Sequence, residues 1–195
     1  MTYALIFFLN MKLAYPILLI TCVFFLTSPY VYTTTYSFST ENGMHKIGLK
    51  TKINKKPCSV FNALTDYDNL TKFYSNLEHS KILDKYKDST IVEQHLVGKI
   101  MNIDIKQKVI LKVKYAGYKI IMEQIEGDFV HYRSIWSIIP QKNNTNMTID
   151  TEFKVSFLKN LFVSKASLER KHKTFLENMT QQMDSGLYDD CIQKN

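Results

Sequence analysis

The chain has 195 residues, with 25 Lys and Arg against 18 Asp and Glu, a net charge of +7 and a hydrophobic fraction of 45%. That composition excludes a low-complexity or disordered chain, and three cysteines are too few for a disulfide framework. The positive excess is mostly lysine and is spread along the sequence, which suits solubility or a loose attraction to anionic surfaces and is too diffuse to indicate nucleic acid.

From Leu13 to Leu26 the chain reads LAYPILLITCVFFL, with Lys12 and a second methionine, Met11, just before it. A short basic end followed by such a run reads as a secretory signal peptide. The SPYVYTTTYSFST stretch that follows lacks a clear small-x-small cleavage site. Extended to Val31, the run approaches the roughly 20 residues that span a bilayer, so an uncleaved anchor is the alternative. On either reading residues 1–38 are leader plus short linker. Residues 39–195 form a domain delivered outside the cytoplasm, whether periplasmic, secreted or anchored. Its size suits one domain with one core.

The domain opens with a strand near His45–Asn54, where Ile47, Leu49, Thr51 and Ile53 alternate with polar residues. Pro57 suits the first turn of a short helix carrying Val60, Phe61 and Leu64, and Asp66 and Asp68 are N-caps for a second, Asn69–Tyr74. Strands follow at His79–Lys87, Thr90–Val97, Ile100–Tyr115 (bent or interrupted), Tyr118–Glu126, His131–Ile139 and Met147–Phe157. Three show an inward face: Val109, Leu111 and Val113 on one, Tyr132, Ser134 and Trp136 on the next, Ile149, Thr151 and Phe153 on the last. The chain closes with a long helix, about Ser164–Ser185, whose stripe includes Leu168, His172, Phe175, Leu176, Met179 and Met183, with Gly186 placed to end it. A curved antiparallel sheet wrapped around one amphipathic helix buries all of these faces.

Several local strings strengthen that reading. Asp66-Tyr-Asp-Asn-Leu-Thr-Lys-Phe73, Glu126-Gly-Asp-Phe129 with Trp136 seven residues beyond, and the terminal helix with Phe175 and Met179 resemble the START-like superfamily of polyketide cyclases/dehydrases and coenzyme Q-binding proteins. The likeness is closest to the coenzyme Q-binding branch. Thr71, Ser75 and Asp128 stand where that branch commonly has prolines. The resemblance spans about Ile47 to Leu187. It implies an α+β helix-grip fold and a cavity between sheet and helix for a lipid, an isoprenoid or a quinone-like molecule.

On that reading Met122, Tyr132, Ser134, Trp136, Thr151, Phe153, Phe175 and Met179 are candidate ligand-binding residues, as apolar wall or plain core, and Gln107 and Gln124 are further polar candidates. His95 joins them if it and Glu93 face inward, because Ile91 and Val92 leave the phase of that strand open. The expected role is a non-enzymatic carrier without catalytic residues or cofactor. The alternatives are a cyclase- or hydratase-type enzyme using Glu93, His95 or Tyr132 as acid–base groups, and an interaction module with a filled cavity. The histidines are scattered without metal-ligand spacing, and no phosphate-binding glycine loop occurs. Lys106, Lys108, Lys112 and Lys114 alternate along one strand, as a basic stripe for an anionic membrane surface or as a solvated sheet face. In folds of the resembled class the two short helices support the end of the long one. Cys58 and Cys191 then pair at that end, unless Cys191 sits in a frayed tail as an unrelated thiol.

Overall fold

Asn42 and Gly43 both take positive φ, 51° and 74°, so they form the two-residue turn whose twist matches a hairpin. That turn joins β1 (Thr35–Glu41) to β2 (Met44–Ile53) with Phe38 opposite Ile47. β1 corrects the expectation of a linker up to residue 38. Tyr36 and Phe38 alternate with Ser37 and Ser39 and turn their rings onto the core, so the stretch is the first strand of the domain. The structure, a computed structural model, describes residues 34–100, 103–142, 144–156, 163–189 and 191. The predicted leader and Phe157 lie outside them. Among the described residues no helix is long and apolar enough to cross a membrane.

After β2 the chain forms helix α1 (Pro57–Thr65) with Pro at its first turn, then the second short helix, which is a 3₁₀ helix at Tyr67–Lys72 and starts two residues before the expected Asn69. Asp66 precedes it but does not cap it with its side chain. Its carboxylate accepts both hydrogen bonds from the Asn69 side-chain amide instead of capping backbone N–H groups, and its own backbone is non-helical. A meander follows: β3 (Leu77–Lys85), β4 (Ser89–Ile100), β5 (Ile103–Ala116), β6 (Lys119–Gly127), β7 (His131–Pro140) and β8 (Thr145–Lys154). All pairings are antiparallel, and the eight strands lie in the order β1-β2-β8-β7-β6-β5-β4-β3.

The expected inner faces are the observed ones. Val109, Leu111 and Val113 of β5, Ser134, Trp136 and Ile138 of β7, and Met147, Ile149 and Phe153 of β8 are all buried. Helix α2 (Lys165–Asp184) packs on that face through Phe175, Leu176, Met179 and Met183. Ser164 caps its start by accepting from the Ser167 amide at 3.2 Å, and Gly186, with φ of 79°, ends it. This is the α+β helix-grip fold: a long antiparallel sheet closed over one helix.

One end of the layer is heavily tied. The Lys55 ammonium donates to the Met183 carbonyl at 3.0 Å and lies 2.9 Å from Asp184, at the C-terminus of α2. Asn178 donates to the Phe73 carbonyl, and the Tyr188 hydroxyl to Asp66. Cys58 at the start of α1 and Cys191 beyond α2 are joined by a disulfide, with Cα atoms 5.4 Å apart.

The turn after β6 explains the Glu126–Phe129 string. Gly127 has φ of 142°, and a Cβ there would stand 2.5 Å from the Lys108 carbonyl oxygen, so the backbone approach to β5 needs glycine. Asp128 then donates its amide to the Lys108 carbonyl and accepts the Lys108 amide on its carboxylate, at 2.9 and 2.8 Å. The string is thus a device of architecture that delivers Phe129 to the inner face.

Candidate ligand-binding site

Between the sheet and the first half of α2 the two layers do not close. A cavity of about 290 Å³ remains. Of the predicted residues, Met122, Tyr132, Trp136, Thr151 and Phe153 line it. Tyr74, Leu96 and Phe129 complete the apolar wall, and β4 adds Gln94 and Gly98.

Three predicted residues support the wall from behind. Phe175 is 1% exposed and stacks on Tyr74 with centroids 4.0 Å apart, and also leans on Trp136 at 6.0 Å. Met179 is fully enclosed in the core. Ser134 is buried too, and organises the polar part of the wall. The Trp136 indole donates to its Oγ at 2.7 Å, and its hydroxyl lies 2.6 Å from Thr151 Oγ1. Burial pushes the Tyr132 phenol up to about 12, against a hydrogen bond from Ser134 that lowers it. Tyr74 is raised well above the usual phenol value by burial and by Tyr132 beside it.

His95 is a correction. Val92, Gln94 and Leu96 are the inward residues of β4, so Glu93 and His95 fall on the opposite face. There Glu93 lies 2.6 Å from Lys108, 3.1 Å from His95 Nε2 and 3.7 Å from His79 Nε2. The Lys108 hydrogen bond is the main reason its carboxyl sits below the usual value. Lys106 pairs with Glu78 at 2.9 Å, so two of the four lysines read as a basic stripe are neutralised locally. Gln107 does line the cavity. Gln124 does not: it donates to the Phe129 carbonyl at 2.9 Å and holds that ring's segment in place.

Residues that sequence reasoning missed sit at the mouth. Ser164, Ser167, Leu168, Lys171 and His172, from the first turns of α2, face the cavity. His172 was read as part of the apolar stripe. Its Nδ1 donates to the Leu168 carbonyl at 2.8 Å, and burial draws its pKa down, aided by Lys171 and opposed by that hydrogen bond. Burial, with Arg170 beside it, also draws the Lys171 ammonium down. Among the described residues no cluster of His, Cys, Asp or Glu is arranged to hold a metal.

The arrangement can enclose an apolar molecule and offer a few hydrogen bonds, and relatives with this architecture are numerous. No curated protein matches the sequence significantly. Among solved structures, a Thermus thermophilus protein (TTHA0849) superposes with a TM-score of 0.61 at 14% identity, covering 73% of this chain and 99% of its own. The Zhui aromatase/cyclase from Streptomyces sp. R1128 gives 0.60 at 13% identity over 72% of this chain and 94% of its own. A STAR-related lipid transfer protein from Xanthomonas axonopodis gives 0.56 at 9% identity over 76% and 98%. At such identities the likeness is one of fold. The sequence itself matches the model of the family described as polyketide cyclase / dehydrase and lipid transport over residues 53–180, from the end of β2 into the last turns of α2. The chain belongs to that family.

Proposed function

We propose that this domain binds and carries a small apolar molecule (a lipid, an isoprenoid or a quinone-like compound) without altering it, and that it does so outside the cytoplasm. The observation that carries the reading is the cavity of about 290 Å³, walled by Trp136, Phe153, Met122 and Leu96 and left open between sheet and helix. It is near the lower end of small-molecule pockets, roughly 300 Å³. Each methylene buried against that wall contributes about 0.8 kcal/mol, enough for a short aliphatic or prenyl chain to bind without strong polar contacts.

The acid–base set that an enzyme would need does not assemble from the residues first named for it. Glu93 and His95 are on the outer face, and only Tyr132 reaches the cavity. The Cys58–Cys191 disulfide supports an oxidising compartment, in keeping with an exported protein.

Native mass spectrometry of the full chain, purified with its lipids retained, tests the reading. Expected is an adduct of lipid-like mass that is released on denaturation. Trp136 is the sole tryptophan and is 7% exposed, so its emission should be blue-shifted and should change when a delipidated sample is refilled. A chain that carries no adduct, and whose emission ignores every apolar compound offered, refutes the proposal.

A further inference from the structure

The cavity is apolar along its walls but not neutral in its remaining hydrogen-bonding demands. No Asp or Glu lines it among the described residues. The Gln107 side-chain nitrogen, a donor, is buried without any acceptor. Lys171 extends from α2 toward the sheet, and its Nζ lies 3.9 Å from where a Cβ on Gly98 would stand, which places an ammonium across the mouth between helix and β4. No carboxylate pairs with Lys171 among the described residues, although nine other Lys, Arg and His side chains there do find acidic partners. The first turn of α2 faces the same opening, and its end carries the positive pole of the helix. A cation, an orphan donor and a helix N-terminus around one apolar hole are all short of the same thing, an acceptor bearing negative charge. A half-buried, unpaired ammonium is costly unless such a group arrives with the ligand.

We infer that the ligand is an anionic amphiphile, a single aliphatic tail bearing a carboxylate, with its head held at the mouth by Lys171 and its tail lying against Trp136 and Phe153. The inference rests on the carrier reading and narrows it. Lys171 is then the group that selects the head, while the aromatic wall accepts any tail that fits.

The test uses the delipidated full chain with dodecanoate and 1-dodecanol, which share a tail and differ in the head, followed by Trp136 emission. Dodecanoate should bind roughly tenfold or more tightly than dodecanol, the worth of a charge-assisted contact. In Lys171→Met that preference should vanish while dodecanol is still bound, which also shows the variant to be folded. Equal binding of the two by the wild-type chain, or a preference that survives Lys171→Met, overturns the anionic head and leaves the carrier reading standing. Loss of both ligands in the variant makes Lys171 a structural residue and equally overturns it. Binding of neither ligand to the wild-type chain overturns the head group and counts against the carrier reading as well.

Discussion

The two halves of α2 lie on the same sheet and do different work. From Phe175 to Met183 the helix is embedded: Phe175, Leu176, Met179, Thr180 and Met183 are all buried, and Lys55, Asn178 and the Cys58–Cys191 bridge tie this end to α1 and the 3₁₀ turn. From Ser164 to His172 the same helix is more loosely seated: Leu168, Lys171 and His172 line the cavity, with Leu168 against the Ile47, Phe153 and Val155 cluster and His172 beside the Tyr36 ring at 5.8 Å. Stability is thus concentrated at one end of a continuous element. The other end is free to be finished by a ligand, as expected of regions that must open and close.

The comparison breaks most readily at the tied end. Replacing Cys58 and Cys191 by serine removes a cross-link over a separation of 133 residues. The chain-entropy model assigns such a loop about 4 to 5 kcal/mol, so the denaturant midpoint should fall sharply while ligand affinity changes little. Equal midpoints for the bridged and unbridged chains would show that the bridge does not hold this half. Phe175→Ala should cost about 3–5 kcal/mol in the same measurement, because it empties a closed site beneath Tyr74 and Trp136.

At the free end the expected effects are smaller in stability and larger in binding. Leu168→Ala should cost within about 1 kcal/mol, because the side chain is only half-buried, yet it should weaken an apolar ligand several-fold by Trp136 titration. A stability loss as large as that of Phe175→Ala would erase the distinction between the halves. The smallest effect is in pH. Burial lowers His172 from its usual 6.5, so the folded chain prefers the neutral imidazole while the unfolded chain takes a proton near the usual value. The stability this histidine contributes is therefore complete above 6.5 and is lost as pH falls from there through the lowered value. Unfolding measured in pH steps should show that acid limb in the wild type and a shallower one in His172→Gln.

Much of the fold was legible because period-two alternation is strong where one face is sealed: Ser134, Trp136, Ile149 and Phe153 all fall where their phase placed them. The strand at Thr35–Glu41 was hidden because Tyr36 and Phe38 follow directly on an apolar leader, although Asn42-Gly43 is itself a strong hairpin signal. On β4 the phase could not be read, since Ile91 and Val92 are both apolar. The structure settles it by burying Val92, which sends His95 outward with Glu93. Lys171 was passed over for a physical reason: a lysine on an amphipathic helix ordinarily reaches water. Only the gap beneath the helix, which is a tertiary property, makes it part of a site.

The sheet order also has a consequence in time. β2 pairs with β8 along its whole length, Ile47 against Thr151 and Leu49 against Ile149, whereas β3 to β7 pair only with their neighbours in sequence. A chain emerging from the ribosome can therefore lay down the β3–β7 meander early. The β1–β2 hairpin must wait, with one edge unsatisfied, until about a hundred further residues have been made. Folding of this topology is expected to be slow, because the β2–β8 seam closes the longest loop of any strand pairing in the sheet. During that interval Ile47, Leu49 and Ile53 of β2 form a bare apolar face beside that open edge. On the proposed export, the chain would cross a membrane in that state, and protection of the hairpin during transit would set how much protein reaches the native fold.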